Sequence, residues 1–202
     1  MEITRELVKF CAELRFDSFP QEVVDRVKYL ALDFTGVAAR GSLVDSSKVM
    51  YQSIKEMSST TEGGVIIGTG MRAPYSYAAL ANGTAAHSLE LDDVNNEASL
   101  HPGNAVFPAA LAACEMVGAD GKKFMEGVVV GYEVMVRLGK ALGPTAHYAQ
   151  GFHPTATCGV FGAAVAVSKI MALNEDQMLN AVGVAGSQAA GSMEFLVQGA
   201  WT

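Results

Sequence analysis

QEVVDRVKYLALDFTGVAAR, residues 21–40, decides the fold class. Val23, Val27, Leu30, Phe34 and Val37 recur at alternating steps of four and three, which draws one apolar stripe along a helix. Pro20 stands where a helix can begin and Gly41 where one can end. The same period extends outward from this stretch. It predicts helices over Ile3–Phe16, Leu43–Met57, Tyr75–Asp93, Ala105–Val117 (with Pro108 in its first turn), Lys122–Leu142, Thr155–Leu173 and Glu175–Gly191. One stretch departs from it. Gly63-Gly64-Val65-Ile66-Ile67-Gly68 is β-branched and bounded by glycine, which predicts a short strand near 64–68. Asn95–Asn104 reads as a polar loop. The expected architecture is all-α with one short β segment, without internal repeats or low-complexity linkers.

Composition narrows the function. Half of the 202 residues are hydrophobic, enough to bury a core. The 21 acids outnumber the 14 bases for a net charge of −7, which argues against nucleic acid or an anionic membrane as partner. Cys11, Cys114 and Cys158 are odd in number and widely spaced, so neither a disulfide framework nor a zinc ribbon is expected. The most apolar stretch, 156–167, is too short to span a bilayer, and the charged N-terminus has no signal-peptide core. A cytoplasmic protein follows. The last residues, Met193 to Thr202 with Trp201, show no stop signal, and the chain reads as cut rather than finished.

The chemistry concentrates between His87 and His101. Glu90, Asp92, Asp93 and Glu97 lie between these two imidazoles, at the end of an apolar helix. A helix through this stretch would put His87, Glu90 and Val94 on one face. Packed carboxylates and imidazoles with shifted pKa values suit proton transfer or metal binding, whereas a solvated acidic helix end is the plain alternative. A second motif, Gly151-Phe-His153-Pro-Thr-Ala-Thr157-Cys-Gly, places His153 just before a helix N-terminus, where N–H groups and the helix dipole attract anions. Gly68-Thr-Gly70-Met-Arg-Ala73 fits a loose dinucleotide fingerprint, but no βαβ unit follows, and a turn is the better account. Asp92-Asp93-x-x-x-Glu97 could hold magnesium and a diphosphate. That reading needs basic residues and a second acidic motif, and neither is evident.

The block Asn82-Gly-Thr-Ala-Ala-His87-Ser-Leu-Glu90-Leu-Asp92-Asp93, followed by His101-Pro-Gly and Val106-Phe-Pro-Ala-Ala-Leu, resembles the MmgE/PrpD family. Gly131-Tyr132-Glu133, the His153 motif and Ala181-Val-Gly-Val-Ala-Gly-Ser-Gln continue the resemblance in the family's order over nearly the whole chain. The family includes 2-methylcitrate dehydratase, cis-aconitate decarboxylase and iminodisuccinate epimerase. The resemblance implies a helical domain paired with a smaller lid domain, usually in a homodimer, working without metal or organic cofactor. It also implies that residues 1–202 form the N-terminal part of the helical domain, with the lid and closing helices lying elsewhere and little activity in this part alone. His101 and His153 fall on the family's active-site histidines, and Asp92 and Asp93 on its paired aspartates. Glu90 stands where many members have Asp, and Val94 where many have Thr, which argues against cis-aconitate decarboxylase and leaves the substrate open.

The resemblance makes His101 and His153 the proton-transfer pair, oriented and tuned by Asp93, Asp92 and Glu90. The implied enzyme is a dehydratase-type lyase on a small carboxylate such as 2-methylcitrate. Arg72, Arg137 and Lys169 are the expected cations for that substrate. Two other readings stay open: a magnesium–diphosphate enzyme and a non-enzymatic helical interaction module. A helical domain without its closing helices should also expose apolar surface and self-associate.

Overall fold

The 21–40 stripe folds as α2, Gln21–Gly41, and its buried side is Val24, Val27, Phe34 and Val37, with Val24 taking the place expected of Val23. The computed structural model describes residues 2–58, 60 and 62–198, so the last four residues of the expected cut end, Trp201 among them, lie outside the described residues. In chain order α2 follows α1 (Glu2–Glu13) and precedes α3 (Asp45–Met57), a hairpin of β1 (Gly64–Ile66) and β2 (Met71–Ala73), and α4 (Tyr75–His87). The chain continues through α5 (Gly103–Val117), α6 (Gly121–Leu142), α7 (Pro144–Ala149), α8 (Pro154–Ile170), α9 (Glu175–Gln188) and α10 (Glu194–Gln198). The domain is thus mostly helical, with one small two-stranded sheet. Among the described residues no helix is long and apolar enough to cross a membrane.

The helix boundaries have local causes. Gly118 closes α5 in the left-handed conformation, φ 65°, which glycine adopts without a Cβ penalty. Asp120 caps α6 by accepting the Lys123 N–H, and Asn174 and Gln177 form a reciprocal capping box at α9. Small residues let helices approach closely. A Cβ on Gly131 of α6 would come within 2.6 Å of Val106 Cγ1 and 3.0 Å of the Gly162 carbonyl oxygen on α8. At the centre, Phe107 of α5 stacks on Phe34 at 5.4 Å and meets the Tyr132 ring edge-on at 5.8 Å.

The expected strand pairs with a second that sequence pattern did not reveal. Met71–Ala73 runs antiparallel to β1, but three residues ending at Pro74 are too short to show alternation. Gly68 and Gly70, at φ 78° and 68°, make the turn between them, so the loose fingerprint there is turn chemistry. The outward-facing groups of β1 are bonded by side chains from helices. Asn82 of α4 accepts from the Ile67 N–H at 2.8 Å and donates to the Val65 carbonyl at 2.9 Å. Glu115 of α5 accepts the Val65 N–H at 3.1 Å.

Three expectations are corrected near the chemistry. α4 stops at His87 instead of running to Asp93. Ser88 Oγ bonds back to the Thr84 carbonyl, and Glu90 takes a left-handed φ of 51° that no helix continues through. The shared helical face of His87, Glu90 and Val94 therefore does not exist. α5 begins two residues early, at Gly103, so Pro108 falls in its second turn. Proline has no N–H for the Asn104 carbonyl, and that oxygen instead lies against Gly83, where a Cβ would stand 2.8 Å away. Finally, the 95–104 loop is not polar throughout: Ala98 and Leu100 are fully buried, and Asn95 and Leu100 bridge through their backbones.

Candidate active site

Ends of helices bring the histidines together. His87 is the last residue of α4. His101 precedes Pro102 at the start of α5, and its N–H donates to Thr155 Oγ1 of α8 at 3.0 Å. His153 precedes Pro154 and takes the extended φ −95°, ψ 116° of a residue before proline, as its sequence position predicts. The His87 ring centroid lies 5.1 Å from that of His101 and 6.3 Å from that of His153. His87 thus stands between the two histidines singled out from sequence.

Asp92 organises this group. Its side chain is only 2% exposed, and its two oxygens lie 3.2 and 3.1 Å from His87 Nδ1. Asn104 Nδ2 donates to it at 2.9 Å, and His101 Nδ1 stands 3.5 Å away, buried and without a hydrogen-bond partner. Glu90, half exposed, sits outside the pair, with one oxygen 3.7 Å from His87 Nε2 and the other 3.8 Å from His101 Nε2. Asp93 is placed differently from the expectation that it orients a histidine. It points into the core, accepting the Gly103 N–H and the Tyr132 hydroxyl, both at 2.9 Å. It fixes the start of α5 and reaches His101 only through the backbone.

The electrostatics follow from these contacts. Burial alone would lower the His87 pKa, but its hydrogen bond to Asp92 and the charges of Asp92 and Glu90 raise it above the usual value. For Asp92, burial opposes ionisation, yet His87 and His101 hold it below the usual carboxylate range. Burial pushes Asp93 up, more than its two hydrogen bonds pull it down. His153 drops to about 4, first from burial and then from the neighbouring His87, His101 and His147. The surroundings of His87 thus favour its proton, while His153 stays neutral at pH 7 with a free lone pair. Burial raises the thiols Cys11 and Cys114 to about 11, so neither supplies a thiolate nucleophile.

A cleft of about 570 Å³ opens beside this group, lined by Leu80, Thr84, His87, Asn104, His153 and Ser192 among others. None of its described lining residues is Lys or Arg. The three cations expected nearby are engaged elsewhere. Arg72 donates to the Gly63 carbonyl on the hairpin, Arg137 pairs with Glu133 on α6, and Lys169 donates to the Ala12 and Leu14 carbonyls at the C-terminal end of α1. The magnesium–diphosphate alternative also loses its ligand set. Glu97 pairs with Lys140, and Asp93 is turned into the core, so these carboxylates do not meet Asp92. A different trio, His87, Asp92 and His101, has ligand atoms within 4.8 Å of one another and is close enough to hold a single metal ion.

Several contributors escaped the sequence reading. His87 was visible in the motif, but nothing in its spacing showed that it separates the other two histidines. Asn104 and Thr155, each just inside a helix start, support Asp92 and the His101 backbone. Thr157 accepts from or donates to His147 Nε2 at 2.8 Å and also contacts the His153 carbonyl, buttressing that loop.

Fold and site together define a mostly helical domain whose histidine–carboxylate cluster borders an apolar cleft. The chain belongs to the MmgE/PrpD family, whose N-terminal domain description matches residues 5–202. It is 34% identical over 197 residues to a cis-aconitate decarboxylase of Aspergillus terreus, covering 95% of this chain and 40% of that protein. It is 32% identical over 205 residues to the cis-aconitate decarboxylase-like protein oryM of Aspergillus oryzae, covering 98% and 42%. Human cis-aconitate decarboxylase is 29% identical over 195 residues, covering 95% and 40%. The chain spans about two fifths of the length of these relatives. Their names support a lyase-type family and give no support to 2-methylcitrate in particular.

Proposed function

We propose that these residues form the N-terminal, proton-transferring part of a helical lyase domain acting on a small di- or tricarboxylate without metal or organic cofactor. The observation that carries this reading is the convergence of His87, His101, His153 and Asp92 from the ends of α4, α5 and α8 beside one cleft. Neutral His153 serves as the base and a protonated imidazole as the acid. In a dehydration, the base takes a carbon-bound proton while the acid protonates the departing hydroxyl, and water leaves. In a decarboxylation, the carbon–carbon bond breaks, CO2 leaves with its oxygens, and the remaining carbanion takes a proton from the acid. The names of the relatives favour decarboxylation of cis-aconitate, whereas the Glu90 and Val94 departures argue against it and leave the substrate open. The lid, the closing helices and a second copy in a homodimer complete the cytoplasmic enzyme in this proposal.

The test is turnover of cis-aconitate, citrate and 2-methylcitrate in D2O by the complete enzyme, with its lid and closing helices, followed by proton NMR. Loss of CO2 with one deuterium entering the carbon that loses the carboxylate, or loss of water with disappearance of one C–H signal, is the expected result. His101→Ala and His153→Ala should each lower the rate at least about 100-fold, the scale of one general acid or base. Wild-type rates in both variants would refute the assignment.

A further inference from the structure

The cleft beside the histidines is a trough whose two ends differ in chemistry. We infer that its far end seats an apolar substituent of the substrate, so that the preferred compounds are tricarboxylates carrying an unbranched alkyl chain. This inference rests on the lyase reading of the same site and narrows its substrate class.

Three helices give the trough its direction. α5 and α8 run side by side the same way. The His101 N–H meets Thr155 Oγ1 at their starts, and one turn further a Cβ on Gly159 would stand 3.0 Å from Ala105 Cβ. α4 runs the opposite way along α5. A Cβ on Gly83 would come within 2.8 Å of the Asn104 carbonyl oxygen and 3.5 Å of Pro108 Cγ, while His87, one turn later, faces His101. Followed back from His87 on α4, and forward from Asn104 and His153 on α5 and α8, all three walls therefore leave the histidines together. At 1.5 Å per residue they extend about 12 Å from His87 to Ala79 and about 15 Å from His153 to Ala163.

The lining changes along that length. Thr84, His87, Asn104, His153 and Thr155 stand at the histidine end. Ser192 joins them there, because the neighbouring Gly191 carbonyl accepts the His153 N–H at 2.8 Å. Beyond the first turn the described walls are Ala79, Leu80, Pro108, Ala109, Val160 and Ala163, with no polar side chain among them. An ionised carboxylate there would lose its water and gain no partner. The carboxylates of a substrate must stay beside the histidines, and whatever reaches further is hydrocarbon. Gly83 and Gly159 keep the middle of the trough open, and Leu80, 49% exposed, offers apolar surface for an alkyl chain to cover. The volume of about 570 Å³ falls in the range that encloses a ligand larger than a bare tricarboxylate.

The experiment uses the complete enzyme and a series of 2-alkylcitrates with methyl, ethyl, butyl and hexyl chains. Each is measured as a competitive inhibitor of whichever tricarboxylate is turned over. Every carbon added from methyl to butyl should lower Ki about fourfold, the effect of burying one CH2, or about 60-fold in all. Ala79→Leu and Ala163→Leu fill the far end from opposite walls with a good helix former. Each should cut the ratio of methyl to butyl Ki at least about tenfold, as two or more CH2 groups lose their place. Reading this ratio within one variant cancels any general loss of active protein. A Ki that stays flat or rises from methyl to butyl overturns the inference and leaves the lyase reading standing, as it would if the closing helices occupy the trough. So does a ratio unchanged in both leucine variants. No turnover of any tricarboxylate by the complete enzyme overturns both.

Discussion

Replacing Tyr132 with phenylalanine removes one hydroxyl from the core and leaves its edge-on contact with Phe107 in place. That hydroxyl donates to Asp93 Oδ2, while the other carboxylate oxygen accepts the Gly103 N–H that starts α5. A hydrogen bond to a charged, buried acceptor is worth about 1.5–3 kcal/mol. For a chain of this size each kcal/mol moves Tm by about 2–4 °C, so Tyr132→Phe should melt about 3–12 °C below wild type at pH 7.5. The sign of its pH dependence follows from Asp93. Burial raises that carboxyl above its unfolded value of 3.8, so the folded chain holds the proton more tightly than the unfolded chain. Stability therefore falls as pH rises through this range, because the buried charge goes unpaid by water. Removing the hydroxyl pushes the carboxyl higher still. The cost of Tyr132→Phe should thus shrink at pH 4.5, where Asp93 is closer to neutral. Thermal melts at both pH values test this, with Asp93→Asn and the double variant closing a cycle whose coupling should exceed about 1 kcal/mol. A shift below 1 °C at pH 7.5, or an equal loss at both pH values, would refute the role given to this latch.

Three other outcomes are expected. His153 is held down to about 4 against an unfolded value of 6.5, so the unfolded chain binds its proton first and stability is lost as pH falls from 6.5 towards 4. Urea midpoints across that window should fall less steeply for His153→Gln than for wild type. Gly131→Ala drives a methyl group against Val106 and the Gly162 carbonyl, and should cost about 1–3 kcal/mol in urea unfolding. On the cofactor-free reading a chelator should leave turnover unchanged, whereas added Zn2+ should inhibit through His87, Asp92 and His101, and His87→Gln should relieve that inhibition.

Much of the fold was legible because burial leaves a 3.6-residue imprint. The stripe of α2 and the long α6 read directly from their spacing, and His153 before Pro154 announced its own helix start. The end of α4 did not. Leu89 and Leu91 continue an apolar rhythm past His87, and only the backbone bonding of Ser88 and the left-handed Glu90 stop the helix. That single error hides the site. A continued helix would put Glu90 on the face of His87 and turn Asp92 away from it, whereas the real loop folds Asp92 back beneath His87 and sends Asp93 into the core. The separation of neighbouring aspartates into two environments comes from contacts with Asn104 and Tyr132, 12 and 39 residues away in sequence. No local pattern encodes such distant partners.

The hairpin beside α4 has a consequence for the life of the chain in a crowded cell. A short ribbon of two strands ordinarily offers its free edge to any extended segment that drifts past, and such pairing is how many proteins begin to clump. Here Asn82 imitates a neighbouring strand, receiving one peptide N–H and giving to one peptide carbonyl, while Glu115 takes the remaining N–H. The edge of β1 is already full. Two helices hold the backbone groups that the outer edge of β1 would otherwise present, so that side of the ribbon is closed to recruitment for as long as those helices stay folded.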